Sequence, residues 1–305
     1  MQKYKIIIPI LNGGELWKKC VDSILAQNIP TKNVIVIDSG SADGSFEISK
    51  ASGFFTQKIN KSEFNHGKTR QDALSYAADA ELVIYMTQDA ILQSRDSINN
   101  LLAVFDDSTI GCAFGRQIAR DGAGALEAHS RVFNYPEFSY KHDYNDRKQY
   151  GIKTAFISNS FAAYRVKELN LVGGFPSNVI LGEDTYVAAK LLKSGYKVAY
   201  VSDAVVRHSH NYTLIEEFKR YFDIGVFHVQ NDWMIRDFGK PEGEGLRYIR
   251  SELVYVLRKA PFLLPKAFAS HFLKYLGYKL GLNEGKLPLI LKRLFSMHKL
   301  YWTQN

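Results

Sequence analysis

The chain has 305 residues, 46% of them apolar and 23% charged, and 39 Lys and Arg against 31 Asp and Glu give a formal net charge of +8. That composition excludes a disordered chain and supports a large buried core. It also excludes a membrane-spanning helix: the most apolar region, residues 260–282, is broken by Pro265, Lys266, His271, Lys274 and Lys279 before it reaches the ~20 apolar residues a bilayer requires.

The N-terminus enters a strand at once, YKIIIPIL, without the basic and apolar regions of a secretory leader. Cys20 and Cys112 lie in apolar surroundings with no metal-binding spacing, and read as reduced core residues of a cytosolic protein. Strand-like runs KIIIPI, NVIVID, FFTQKI and ELVIYMT follow one another through the first hundred residues. Helical patterns separate them, at Glu15 to Gln27, at Ser45 to Ala51 and from about Gly67 to Ala78. This alternation predicts an α/β fold of parallel strands joined by crossover helices.

Sheets of this kind bind ligands beyond the carboxyl ends of their strands. The first strand ends in PILNGG, which lacks the G-x-G-x-x-G spacing, so the dinucleotide-cradling reading is rejected. At the end of the second, Asp38 is placed to accept a hydrogen bond from a base or ribose, and Ser39 to Gly44 form a turn. The stretch FNHGKTR opens a helix with His66, Lys68 and Arg70 able to face a nucleotide. The fourth strand delivers Gln88 and Asp89, and a carboxylate at such a strand end is a natural Mg²⁺ or Mn²⁺ ligand. Residues 129–151 are dense in aromatics and charges without periodicity and read as a loop or short helices over the site.

Residues 178–210 hold the strongest functional signal. Glu183 and Asp184 open a helix that ends at Gly195, so both carboxylates stand at a helix N-terminus, where the dipole favours an ionised Asp184 able to accept a proton. After the following strand, His208 and His210 alternate in extended chain, so that both rings face one way and one or both can reach a metal or a phosphate.

Taken in order, IIIPILNGG, VIDSGSADGS, FNHGKTR, TQDA, VGGF, GED and RHSHNY resemble the inverting family 2 glycosyltransferases, over about residues 3–215. FNHGKTR, TQDA and HSHNY are most similar to bacterial rhamnosyltransferases that use dTDP-L-rhamnose in O-antigen synthesis. The resemblance implies a nucleotide-sugar-binding, Rossmann-like GT-A fold over residues 1–213 with a helical extension over 214–305. It implies Asp184 as catalytic base with Glu183 beside it. Pro9, Asn12 and Asp38 would line the nucleoside pocket, with Arg70 near the nucleobase and His66 and Gln88 toward the nucleotide sugar. Gly174 would lie in the loop approaching donor sugar and acceptor, and Asp89 with His210 or His208 would hold Mg²⁺ or Mn²⁺. The chain departs from the family's Asp-Xaa-Asp, because Thr87 and Gln88 precede Asp89. The implied acceptor is a polyprenyl-diphosphate-linked saccharide; a UDP-hexose donor and a non-catalytic nucleotide-sugar-binding scaffold are the alternatives.

The last fifth of the chain carries the whole charge excess, with 12 Lys and Arg against 4 Asp and Glu from Lys240 onward. Leu246, Ile249, Leu253, Val256 and Leu257 fall on one helical face, and Phe268, Phe272, Tyr275 and Leu276 repeat the pattern among lysines. These stripes either lie on an anionic membrane surface at the inner face of the cell membrane or pack on the catalytic domain. No nucleic-acid-binding module accompanies the charge.

Overall fold

The computed structural model describes residues 3–239 and 242–304. Among the described residues, nine strands form one mixed sheet: β1 (Tyr4–Ile10), β2 (Val34–Asp38), β3 (Phe55–Lys58), β4 (Leu82–Met86), β5 (Ile91–Leu92), β6 (Ile110–Ile118), β7 (Tyr140–His142), β8 (Phe161–Arg165) and β9 (Lys197–Arg207). Their order is β3-β2-β1-β4-β8-β6-β9-β5, with β7 also on β9. The first four strands are parallel, as the alternation predicts, whereas β8 is antiparallel to both β4 and β6.

The helices α1 (Gly14–Leu25), α2 (Ser45–Ala51), α3 (His66–Ala73) and α4 (Ser97–Ala103) follow β1, β2, β3 and β5. Next come α5 (Ala125–Asn134), α6 (Arg147–Tyr150), α7 (Val166–Leu171) and α8 (Glu183–Lys193). Along β1 the side chains alternate: Ile6, Ile8 and Ile10 join a core with Trp17 and Ile24 of α1, while Ile7 joins the opposite core with Ala73 of α3 and Val187 of α8. The middle segment contains α5 and β7, more regular structure than its composition suggests.

From Leu214 the chain is helical: α9 (Leu214–Gln230), α10 (Asp232–Phe238), α11 (Glu242–Lys259), α12 (Leu264–Leu282), α13 (Leu289–Phe295) and α14 (Tyr301–Gln304). Among the described residues no helix is long and apolar enough to cross a membrane. Phe222, Val226 and Phe227 of α9 enter the same core as α8, so the helical region is built onto the sheet rather than tethered beside it. Helix α12 lies directly on α9, and glycine permits the approach: a Cβ at Gly281 would stand 2.1 Å from the Phe222 carbonyl oxygen, and one at Gly277 2.3 Å from that of Phe218.

Of the tail's apolar stripe, Val256 is buried and Ile249 and Leu253 are half-buried, while Leu246 and Leu257 face solvent. The inward positions therefore pack on the protein. On α12, Phe268, Phe272 and Tyr275 are 60–64% exposed and share one outward face.

Candidate active site

Asp89 follows β4, and His208 and His210 follow β9, so neighbouring parts of one sheet deliver all three to one end. A carboxylate oxygen and one nitrogen from each ring lie within 4.8 Å of one another. His208 Nε2 is 3.4 Å from Asp89 Oδ1, the two rings meet edge to face at 4.7 Å, and Arg120 pairs with Asp89 Oδ2 at 2.5 Å. Burial opposes ionisation of Asp89, but the two histidines and Thr87 outweigh it and hold the carboxyl below the usual carboxylate range. Burial lowers the His208 ring and, with His208 beside it, takes His210 down to about 4, so both imidazoles are neutral at pH 7. A carboxylate with two neutral imidazoles is a donor set for a divalent cation, with room left for anionic oxygens of a ligand.

The carboxylate pair divides its tasks. Gly182, in the left-handed region at φ 75°, turns the chain into α8, and Glu183 and Asp184 are its first two residues. Glu183 is buried, 3.1 Å from the Arg70 guanidinium, and accepts a hydrogen bond from Asn159 Nδ2 at 3.2 Å. Burial works against its charge, yet Arg70 and His66 prevail and its pKa is lowered. Asp184 is half-buried; its oxygens accept from the Thr185 and Asn159 backbone N–H groups at 2.7 and 3.2 Å. Burial, then the Glu183 charge, raise Asp184 to about 6. Desolvation thus overrides the helix dipole, and the carboxyl remains mostly ionised at pH 7 with a basicity suited to proton acceptance.

The two groups belong to one hydrogen-bonded network. Gln117 on β6 is 3.0 Å from His208 Nδ1 through its Oε1 and donates from Nε2 to Ser158 Oγ at 2.9 Å. The next residue, Asn159, holds Asp184 and Glu183.

At the end of β2, Asp38 is fully buried; Oδ1 accepts from the Gly40 and Ser41 N–H groups, while Oδ2 has no partner. An orphaned buried carboxylate oxygen calls for a donor from a ligand. Beside it opens a pocket of about 350 Å³ lined by Gly40, Lys58, Ile59, Asn60, Lys61 and Glu63. Pro9 sits in β1, paired with Ile37 of β2 one residue before Asp38. Asn12 accepts from Ala42 N–H and ties the first loop to the second.

Four of the residues expected at the nucleotide sugar have protein partners. Arg70 lies in the buried pair with Glu183 and donates to the His66 carbonyl, so it stands at the carboxylate pair and not at the Asp38 pocket. Gln88 spends both ends on Leu11, accepting its N–H at 2.7 Å and donating to its carbonyl at 3.1 Å. Gly174 is buried at φ 67° under Gln71, where a Cβ would stand 2.1 Å from Gln71 Oε1. The His66 ring, lowered to about 4 chiefly by burial, packs edge to face against His298 at 5.3 Å.

Arg120, Gln117, Asn159 and His298 contact the candidate residues and belong to none of the motifs. His298 arrives from the chain's far end, where Asp223 of α9 accepts the Met297 N–H at 2.9 Å. Only the polar Arg116-Gln117 pair interrupting an apolar run hinted at any of them.

The sequence profile of Glycosyl transferase family 2 matches residues 5–171. The O-antigen chain rhamnosyltransferase RfbN of Salmonella typhimurium strain LT2 is 47% identical over 301 residues, covering 98% of this chain and 96% of that protein. The O-antigen chain rhamnosyltransferase WbaN of Salmonella anatum is 43% identical, covering 99% and 96%. Among solved structures, the mannosyltransferase PcManGT of Pyrobaculum calidifontis, in complex with GDP-Man and Mn²⁺, aligns with a TM-score of 0.57 at 20% identity, over 99% of this chain and 85% of that one. Residues 1–349 of S. aureus TarS align with a TM-score of 0.54 at 15% identity, over 93% and 92%.

Proposed function

The chain belongs to glycosyl transferase family 2, and on that premise we propose that it is an inverting rhamnosyltransferase. Its donor is dTDP-L-rhamnose and its acceptor a polyprenyl-diphosphate-linked saccharide of O-antigen synthesis. The relatives at 47% and 43% identity, both named O-antigen chain rhamnosyltransferases, support the sugar. The observation that carries the mechanism is the division of the carboxylate pair into a buried Glu183 held by Arg70 and an accessible Asp184 raised to about 6.

In the reaction the acceptor hydroxyl oxygen attacks the anomeric carbon in line. The bond from that carbon to the diphosphate oxygen breaks, its electron pair leaving with the nucleoside diphosphate. The hydroxyl proton passes to Asp184, help commonly worth ~10²- to 10⁴-fold in rate. Asp38 and the pocket beside it hold the nucleoside. Asp89, His208 and His210 are the residues that would hold Mn²⁺ or Mg²⁺, and the imidazoles favour Mn²⁺. When bound, that cation neutralises charge on the departing diphosphate. Arg120 adds fixed positive charge there, as do Arg131 and Arg220, which both act on His210.

Peripheral association with an anionic membrane surface would bring a lipid-linked acceptor to the site. Phe262 is 79% exposed, and Phe268, Phe272 and Tyr275 stand out beside exposed Arg258, Lys259 and Lys266. Aromatic rings and cations together suit the interface of an anionic bilayer. Vesicles containing phosphatidylglycerol should co-sediment the protein and phosphatidylcholine vesicles should not; Phe262→Ser with Phe268→Ser should abolish the difference. Equal binding to both vesicles refutes this part.

The test of the donor is nucleotide release from dTDP-L-rhamnose, UDP-glucose and UDP-galactose in the presence of a lipid-linked saccharide. Release of dTDP above the UDP sugars supports the reading. Preferential release of UDP gives the donor to a hexose, and no turnover with any acceptor leaves the scaffold reading standing.

A further inference from the structure

We infer that Gln117 is a positioning residue that couples the Asp89–His208–His210 cluster to the carboxylate base, fixing the ring of one and the anchor loop of the other with the two ends of a single amide. The inference rests on the reading of that cluster as a cation site.

Gln117 is buried, and its orientation follows from its partners. Ser158 Oγ donates to Ser160 Oγ, leaving its lone pairs to accept from Gln117 Nε2. The Gln117 Oε1 must then accept, so His208 donates to it from Nδ1. With Nδ1 committed to Gln117, Nε2 is the nitrogen that faces Asp89 Oδ1, at 3.4 Å, and the one from which the ring would share a cation with the carboxylate. Without the amide oxygen, nothing holds the ring with Nε2 turned toward the carboxylate. Partners that fix a ligating histidine in this way typically change metal affinity 10- to 100-fold.

The other end of the amide acts at a distance. Ser158 opens the turn that the Phe161 N–H closes on the Ser158 carbonyl, and Asn159 sits inside it. Asn159 is almost fully buried and serves three groups: its N–H binds Asp184, its Nδ2 binds Glu183, and its Oδ1 accepts from Tyr164. Holding Ser158 therefore holds the donor that aims the base. A simple packing role would demand only volume at this position, whereas a donor and an acceptor are both in use.

Two variants test the two ends. In the full-length protein without nucleotide, Mn²⁺ affinity is read from the free-ion EPR signal, and kcat and donor KM are measured at saturating Mn²⁺. Gln117→Met should weaken Mn²⁺ binding by about 10- to 100-fold and lower kcat even when Mn²⁺ saturates. Ser158→Ala keeps Gln117 but removes the acceptor that orients its amide and the anchor of the Asn159 turn; it should keep donor KM, lower kcat at saturating Mn²⁺, and weaken Mn²⁺ binding no more than Gln117→Met does. Thermal unfolding without Mn²⁺ checks that each variant is folded. Parent-like Mn²⁺ affinity in Gln117→Met, or full kcat in Ser158→Ala, overturns the inference alone. Absence of Mn²⁺ binding by the parent itself overturns the cation reading and the inference with it.

Discussion

Glu183→Gln is the perturbation that most cleanly divides structure from chemistry in the carboxylate pair. The change is nearly isosteric and lets Asn159 keep its hydrogen bond, but it strips the charge from a pair in which Arg70 and Glu183 have side chains only 6% and 8% exposed. Removing one partner of a buried pair leaves the other uncompensated, at a cost of about 3–5 kcal/mol. Arg70 retains its bond to the His66 carbonyl, which places the expectation toward the lower end. For 305 residues, at about 2.1 cal/mol/K of unfolding entropy each, about 3 kcal/mol corresponds to a Tm lower by roughly 5 °C. The same substitution removes the second-ranked cause of the raised Asp184 pKa and leaves Arg70 free to lower it further. The acid limb of kcat/KM, expected near 6 in the parent because the base must be deprotonated, should therefore move to lower pH. Urea unfolding gives the first quantity and a pH–rate profile the second. A variant as stable as its parent, or an acid limb that stays or rises, refutes this description of the pair.

Gly281→Ala should cost about 1–3 kcal/mol by forcing α9 and α12 apart, read as a lower urea midpoint. Gln88→Ala should raise donor KM by freeing the Leu11 loop and leave Mn²⁺ affinity unchanged; a loss of Mn²⁺ binding would make Gln88 a ligand and contradict its placement. Burial raises Asp223 to about 7, against ~3.9 for an exposed carboxyl. The unfolded chain therefore loses this proton first, and the group's contribution to stability, complete below about pH 4, is lost as pH rises to about 7. Asp223→Asn should remove that slope in a stability–pH series, and an unchanged slope would refute it.

The legible half of the fold is its first hundred residues, where β1, β2 and β4 are apolar runs and the short, more polar β3 follows Gly53 and Phe54. Strands β6 and β8 have no such signature. Gly111 and Gly115 interrupt β6 because Tyr196, Phe161 and the Ala204 carbonyl occupy the space a Cβ would need, and β8 is five residues with two alanines. The apolar run of residues 198–201 stops well before β9 does at Arg207, because a register shift opposite Gly115 and Arg116 skips Ser202 to Ala204 and erases the alternation.

The site divides in the same way. Asp89, Asp184, His208 and His210 are polar residues at the ends of regular elements, which is where a sequence displays them. Gln117 acts on His208 across 91 residues, and Asn159 on Asp184 across 25, so nothing local marks either. The partners of Arg70 and Gln88 are likewise tertiary. Residue type suggested a ligand contact for both, while Glu183 and Leu11 satisfy them.

Asp184→Asn tests the central claim most directly. The amide keeps the size of the carboxyl and the Asn159 contact on one side but cannot take the acceptor's proton. With dTDP-L-rhamnose and a lipid-linked saccharide, transfer should fall by about 10²- to 10⁴-fold while donor binding, followed by thermal shift, stays at the parent value. Transfer within tenfold of the parent would contradict the account and place the base elsewhere.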